Sequence, residues 1–420
     1  MPADDDVAEC VLRAFDALPP KRKPRARDAA SREWVPLAGV VLANMASMPA
    51  DTGALTCAAL GTGMKCLPAS RIPAANGVVL HDWHAEVLAI RAFNRFLIDE
   101  CAGLLSGRES EFVRLREQHE LSLTSFQPFA VRDHVRIYMY CSEAPCGDAS
   151  MELTMEAQED ATPWALPPKA AVEAAVAEDA QVLRGRGYFS ELGIVRRKPA
   201  RPDAPPTLSK SCTDKLAMKQ CTSLLTGISS ILVNPQTAYL HTLILPESQH
   251  VPTATTRAFG ASGRMSGLTN TDSYRPFDVV STSREFKWSR RSGQPNQTLV
   301  PCNISALYTP HHQETLINGV LQGRKQGDLR GMSVVSKRSM WKAVTDLALR
   351  LRDAEIAVPV DLAGLTDASC DYGTLKGSGL LAARALVKSE AEKISLKGWV
   401  RNVGDSSFSL ETAQSEKRKT

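Results

Sequence analysis

The chain has 420 residues, 43% of them hydrophobic and 23% charged, with a formal net charge of +4. That is enough apolar material to bury a large core, as one big enzyme fold or as two or three average domains, and it excludes a disordered or fibrous protein. There is no run of eighteen apolar residues and no basic-then-apolar leader, so an intracellular protein of nucleus or cytoplasm is expected, with no membrane contact and with its ten cysteines reduced, buried or metal-bound.

Residues 7–18 set Val7, Cys10, Val11, Phe15 and Leu18 at helical spacing before Pro19 and Pro20, which predicts an amphipathic first helix. The basic run Lys21, Arg22, Lys23, Arg25 and Arg27 follows. Such a run can bind phosphates, act as a nuclear import signal or be a solvated linker. Residues 34–42 read as a buried strand, 84–100 as a long helix opened by His84 and Glu86, and 134–141 as another strand. Pro145 and Cys146 then fall in the turn before a helix over 148–157, where backbone N–H groups and the helix dipole favour a thiolate. Residues 184–210 carry Arg184, Arg186, Arg196, Arg197, Lys198 and Arg201 among glycines and prolines, and read as an exposed basic loop. Further basic clusters lie at 284–291 and 324–338, helical patterns at 338–352 and 379–396, and a frayed tail is expected after Thr412.

The chemistry concentrates in His84-Ala85-Glu86 and Pro145-Cys146-Gly147-Asp148. A histidine, a glutamate two residues on and a cysteine after proline make up most of the H-x-E…P-C-x-x-C signature of zinc base deaminases, but Ala149 stands where the second cysteine belongs. Zinc hydrolysis needs three protein ligands and one open position. Cys212 in Ser211-Cys212-Thr213-Asp214-Lys215, at the start of a helical pattern, is the expected third ligand. Glu86 beside the metal is the expected general acid and base. The bland alternatives are a structural histidine, a cysteine buried as a small hydrophobe, or a closed structural zinc site, which has no need of Glu86.

Taken together, His84-Ala85-Glu86, Pro145-Cys146-Gly147-Asp148-Ala149-Ser150 and Ser211-Cys212-Thr213-Asp214-Lys215-Leu216-Ala217 resemble the adenosine-to-inosine RNA deaminase family, which includes double-stranded-RNA editing deaminases and tRNA-specific adenosine deaminases. In that family the split ligand set is the rule. Phe15-Asp16-Ala17-Leu18-Pro19 and Trp34-Val35-Pro36-Leu37-Ala38 look like the tRNA branch, and the resemblance spans about residues 7–410. It implies an α/β fold: a cytidine-deaminase-like mixed sheet bearing the ligand helices, in a single domain without a separate RNA-binding module, completed by C-terminal helices around an inositol phosphate. It also implies deamination of the adenosine 3′ of the anticodon, position 37, of tRNA-Ala; the sequence leaves the oligomeric state open, a monomer being compatible with it. Cytidine or free-nucleoside deamination and a catalytically silent RNA-binding subunit stay open as alternatives.

Zn2+ and inositol hexakisphosphate are the implied cofactors. For the latter the carried-over residues are Arg91, Lys215, Lys337, Tyr372, Lys376, Arg384 and Trp399, with Asp82 and Lys215 relaying to the zinc site. The family's paired arginines are here Ile90-Arg91 and its Arg-Trp pair is Met218-Lys219, so the cage is expected to differ in part. RNA contacts are expected from Lys21, Arg22, Lys23, Arg25, Arg186, Arg196 and Arg197.

Overall fold

The computed structural model describes residues 1–28, 30–47, 55–157, 191–198, 204–293, 296–367 and 369–411. The chain enters through α1 (Asp4–Asp16), whose first turn is acidic at Asp4, Asp5 and Asp6 and whose last turn holds Arg13, both favourable to the helix dipole. Strands β1 (Ala26–Asp28), β2 (Ser31–Trp34), β3 (Leu37–Asn44) and β4 (Leu55–Thr62) follow. The single strand expected over 34–42 is thus split at Val35-Pro36. Pro36 has no N–H to give a ladder, and the Val35 N–H bonds to the Trp288 carbonyl at 3.0 Å instead.

Helix α2 (Ala85–Leu104), β5 (Val113–Leu115), β6 (Phe129–Val131), β7 (Val135–Cys141) and α3 (Met151–Glu156) come next. After them run α4 (Cys212–Thr222), β8 (Thr242–Pro246), α5 (Pro252–Phe259), β9 (Asp278–Thr282), β10 (Thr298–Pro301), β11 (Ser305–Tyr308), β12 (Gln313–Ile317) and β13 (Val320–Leu321). Helices α6 (Lys337–Asp353), α7 (Ala363–Thr366), α8 (Tyr372–Gly377) and α9 (Ala382–Ile394) follow the last strand. The expected helix over 148–157 begins as a 3-10 turn, Asp148–Ser150, before α3.

Eight strands form the main sheet in the order β13-β12-β11-β4-β3-β7-β8-β9. It is antiparallel through β3, with β7, β8 and β9 parallel, so the predicted mixed sheet is present. Side chains of β3 alternate between two cores: Ala38, Val40 and Leu42 face the α2 side, while Leu37, Val41 and Ala43 face α1. On the α1 side Val11 sits where a Cβ on Gly39 would be, and Phe15 meets Phe286 edge-on at 4.9 Å. On the other side α2 packs against β4 and α6, whose Trp341 is fully buried. A separate small sheet, β1-β2-β10, runs β2 parallel to β10. No helix among the described residues is long and apolar enough to cross a membrane.

Candidate active site

His84 is the N-cap of α2, which places Glu86 in the first turn of that helix, buried against the sheet. Cys146 lies five residues beyond the end of β7, and Cys212 is the first residue of α4, whose N-cap Ser211 accepts the Asp214 N–H. The two cysteine loops are pressed together. The Cys212 N–H reaches Cys146 Sγ at 3.4 Å, the Thr213 N–H bonds to the Cys146 carbonyl at 3.1 Å, and Thr213 Oγ1 donates to the Pro145 carbonyl at 2.8 Å. Gly147, at φ +114°, makes that approach possible, because a Cβ there would collide with the Ser211 hydroxyl.

Asp82 organises the histidine side. Its Oδ1 accepts from the His84 backbone N–H at 3.0 Å and lies 2.9 Å from His84 Nδ1, which leaves Nε2 as the nitrogen for a further ligand. Its Oδ2 accepts from Lys198 Nζ at 2.8 Å, from Ser209 Oγ at 2.6 Å and from Lys215. The expected link from Lys215 through Asp82 to His84 is therefore formed. Lys198 also reaches Cys212 Sγ at 3.3 Å.

Burial acts to raise the Asp82 carboxyl, but Lys198, Lys215 and His84 together hold it well below the usual carboxylate range. A hydrogen bond with Cys212, aided by Lys198 and His84, lowers the Cys146 thiol far below an ordinary cysteine, whereas burial and the neighbouring Cys146 raise Cys212. Burial, then the negative charge of Cys146, raises Glu86 against the opposing pull of Lys198 and His84. That is the direction a proton-carrying carboxyl requires.

Among the described residues no group of three or more His, Cys, Asp or Glu side chains is assembled into a ready metal cage. The donor chemistry nevertheless fits zinc. It comprises an imidazole oriented by a carboxylate, two adjoining thiols of which one is readily ionised, and a buried acid that need not ligate.

The basic-loop reading of residues 184–210 is overturned where the chain is described. Arg196 and Lys198 are buried, because residues 196–198 pair with 209–211 through Lys198 N–H to Ser209 O and Ser211 N–H to Arg196 O, both at 2.8 Å. The Arg196 backbone N–H bonds Asp214 Oδ2 at 2.8 Å and its guanidinium, 1% exposed, bonds the Glu191 carbonyl, so the side chain does not face RNA; Arg197 is half-buried opposite Lys210. Arg186 lies outside the described residues. Of the N-terminal run, Lys21 and Arg25 are exposed, Arg22 reaches Thr315, and Lys23 caps the Asp16 carbonyl and lies over Phe15.

Behind the site Arg91, Lys337, Lys376 and Arg384, four of the expected cage residues, lie within electrostatic reach of one another or of Lys219. Arg91 bonds the Val335 carbonyl, Arg384 the Thr222 and Leu225 carbonyls, and Lys337 the Asp405 carboxylate at 2.9 Å while lying over Tyr372. Trp399 sits under Lys210. Two cations join them that sequence did not single out for this role, Lys219 and Lys388. Burial and then the charges of Arg384, Lys388, Arg91 and Lys376 push Lys219 well below the usual lysine range. Burial, then Lys388 and Arg384, bring Lys376 down to about 8, and burial brings Arg384 down to about 10. Cations buried within reach of one another in this way fit a multiply charged anion, which would satisfy them together. Lys219 occupies the position where a departure from the family cage was expected, and a cation stands there.

Residues 59–402 match the adenosine-deaminase (editase) domain, and the chain belongs to that family: it is an adenosine deaminase. Its relatives include tRNA-specific adenosine deaminase 1 of Schizosaccharomyces pombe, 36% identical over 82% of this chain and 86% of that protein. The protein of the same name from Saccharomyces cerevisiae is 31% identical over 59% of this chain and 60% of its own length. The mouse double-stranded RNA-specific editase B2 is 26% identical over 51% of this chain and 27% of its own.

Proposed function

We propose that this enzyme hydrolyses adenosine to inosine in tRNA with the aid of zinc, and that its preferred target is the adenosine 3′ of the anticodon, position 37, of tRNA-Ala. The observation that carries the reading is the contact of the Cys146 and Cys212 loops, joined through Lys198 to the Asp82 that orients His84 at the start of the helix bearing Glu86; the tRNA substrate is supported by the relatives named tRNA-specific adenosine deaminase 1. The adenosine would unstack to reach Glu86, at lower cost from an anticodon loop than from a duplex. His84, Cys146 and Cys212 would hold zinc, which when bound lets a water lose its proton near neutral pH. Glu86 carries that proton to the adenine N1, where it stays, as the remaining hydroxide adds at C6; it then moves the proton of the new C6 hydroxyl to the amino group, so that the C6 carbonyl forms and ammonia leaves. Asp82, charged through Lys198 and Lys215, keeps His84 in one tautomer and orientation.

Inositol hexakisphosphate is the proposed occupant of the cation cluster around Arg91, Lys219, Lys337, Lys376, Arg384 and Lys388. Its support is that these cations are buried near one another, burial being the first cause that lowers Lys219, Lys337, Lys376 and Lys388 and neighbouring cations a further one, with Asp405 and Glu392 as the nearby acids.

Inosine mapping of total tRNA treated with purified enzyme tests the assignment. Wild type should create inosine 3′ of the anticodon of tRNA-Ala, and Glu86→Ala should keep zinc and fold while losing at least about a thousandfold in rate, within the range of general acid-base catalysis plus positioning. Near-normal turnover by Glu86→Ala rules out its role, and inosine at another position rules out the site.

A further inference from the structure

We propose that the small sheet β1-β2-β10, together with the loop over 284–293, is a docking lip for the RNA phosphate backbone at the rim of the catalytic site. The proposal rests on the reading of the substrate as RNA. It goes beyond that reading by assigning the surface that grips it.

The lip touches both halves of the site. On one side Arg291 bonds the Ser142 carbonyl at 3.0 Å and pairs with Glu143, on the loop that carries Cys146. On the other, β10 leads through Cys302 to Asn303, whose side chain accepts from Lys65 Nζ at 2.5 Å, and the Lys65 carbonyl lies 3.2 Å from His84 Nδ1. The link between them is Trp34-Val35-Pro36. Val35 bonds the Trp288 carbonyl, and the Leu37 N–H donates to Ser142 Oγ at 2.9 Å. A strand backbone attached at both ends of the site is a rigid place from which to hold a polymer substrate.

The charges on this lip fall into two sets. Arg284, Lys287 and Arg291 are paired with Asp5, Asp16 and Glu143 or Glu285, and they fasten the loop to α1 and to the Cys146 loop. The side-chain cations of Lys21, Arg25, Arg32 and Arg290 pair with no carboxylate among the described residues. Arg32 fixes its guanidinium on the Lys287 and Ser289 carbonyls, while exposed Arg290 lies 5.9 Å from the centre of the Trp34 ring. Glu33, the acid on β2, accepts from the Arg25 amide at 3.1 Å and from the Cys302 thiol at 3.3 Å. Cations without a carboxylate partner beside an aromatic face, next to the site that must receive an extruded base, are the features that bind a nucleic-acid backbone and stack an adjoining base.

The test is fluorescence anisotropy of labelled tRNA over a salt series, using the full chain, with inosine formation by wild type measured in parallel. The Arg25→Glu/Arg290→Glu double variant should bind at least about tenfold more weakly, with a log K against log salt slope smaller by roughly two, about one for each phosphate that the variant no longer neutralises. Its melting temperature should match wild type. A charge-matched pair on α6, Lys342→Glu/Arg352→Glu, should keep wild-type affinity and slope. Undiminished binding by the Arg25/Arg290 variant, with wild type making inosine, overturns the lip; so does an equal loss in the α6 control. Wild type that makes no inosine in any tRNA removes the reading on which the lip rests, and the lip with it.

Discussion

At the scale of single residues, the side chain that changes the picture most is Lys198. His84, Glu86, Cys146 and Cys212 were legible because each signal is local: a capping position, a two-residue offset, a proline before a cysteine. Lys198 had no such mark, since its role depends on a carboxylate 116 positions away and on a pairing between residues 196–198 and 209–211 that no periodicity announces. Among arginines and prolines it read as one more surface charge. Buried, its ammonium is held charged by Asp82 and the two thiols in spite of burial, and it balances all three. Lys198→Met should therefore weaken zinc binding about 10- to 100-fold, the usual cost of removing a group that orients or balances metal ligands. Chelator competition reads this directly, and an unchanged affinity would refute it.

At the scale of elements, the strands and helices around the site followed the sequence closely, and the departures have backbone causes. Pro36 broke one expected strand into β2 and β3, and that break created the separate small sheet. Gly147 allows the β7 and α4 loops to meet. Gly193 offers a control, since it also has positive φ, +75°, but a Cβ there meets nothing within 4 Å. Gly193→Ala should cost about 1 kcal/mol from backbone strain alone, and Gly147→Ala roughly 1–3 kcal/mol more, as strain and collision with Ser211 add. Urea unfolding separates the two, and equal losses would mean that the close approach of the loops is unimportant. The clusters at 284–291 and 21–27 read correctly as basic, but the sequence could not say which charges already had partners. Pairing is a property of the assembled surface.

At the scale of the whole molecule, the C-terminal helices close a nest of cations over the core. A lysine whose folded value lies below the ordinary one, about 10.4, binds its proton less tightly folded than unfolded. Its contribution to stability is lost as pH falls through the folded value, and is regained from about 8, the Lys376 value, up to about 10.4. Lys219, pushed well below the usual range, acts in the same direction. Protein stripped of polyanion should accordingly have a higher urea midpoint at about pH 9.5 than at about pH 7.5, and inositol hexakisphosphate should abolish or invert that difference by favouring the charged lysines. A pH response unaffected by the polyanion would tell against the cage.

Asp405 brings the distances within this molecule to their longest. Its carboxylate takes the Gly77 N–H at 2.7 Å, the His81 ring at 2.7 Å and Lys337 at 2.9 Å, which ties the segment leading into His84 to a residue 324 positions later than His81. During synthesis, the strands and α2 can be complete long before that tether emerges from the ribosome. A nascent chain, or one ended early by a premature stop, would have every catalytic residue and still lack the fastening for the loop that carries them. The segment that leads into His84 thus takes its final anchor from a residue near the far end of the described chain, so the order of folding along the chain need not follow the order of synthesis.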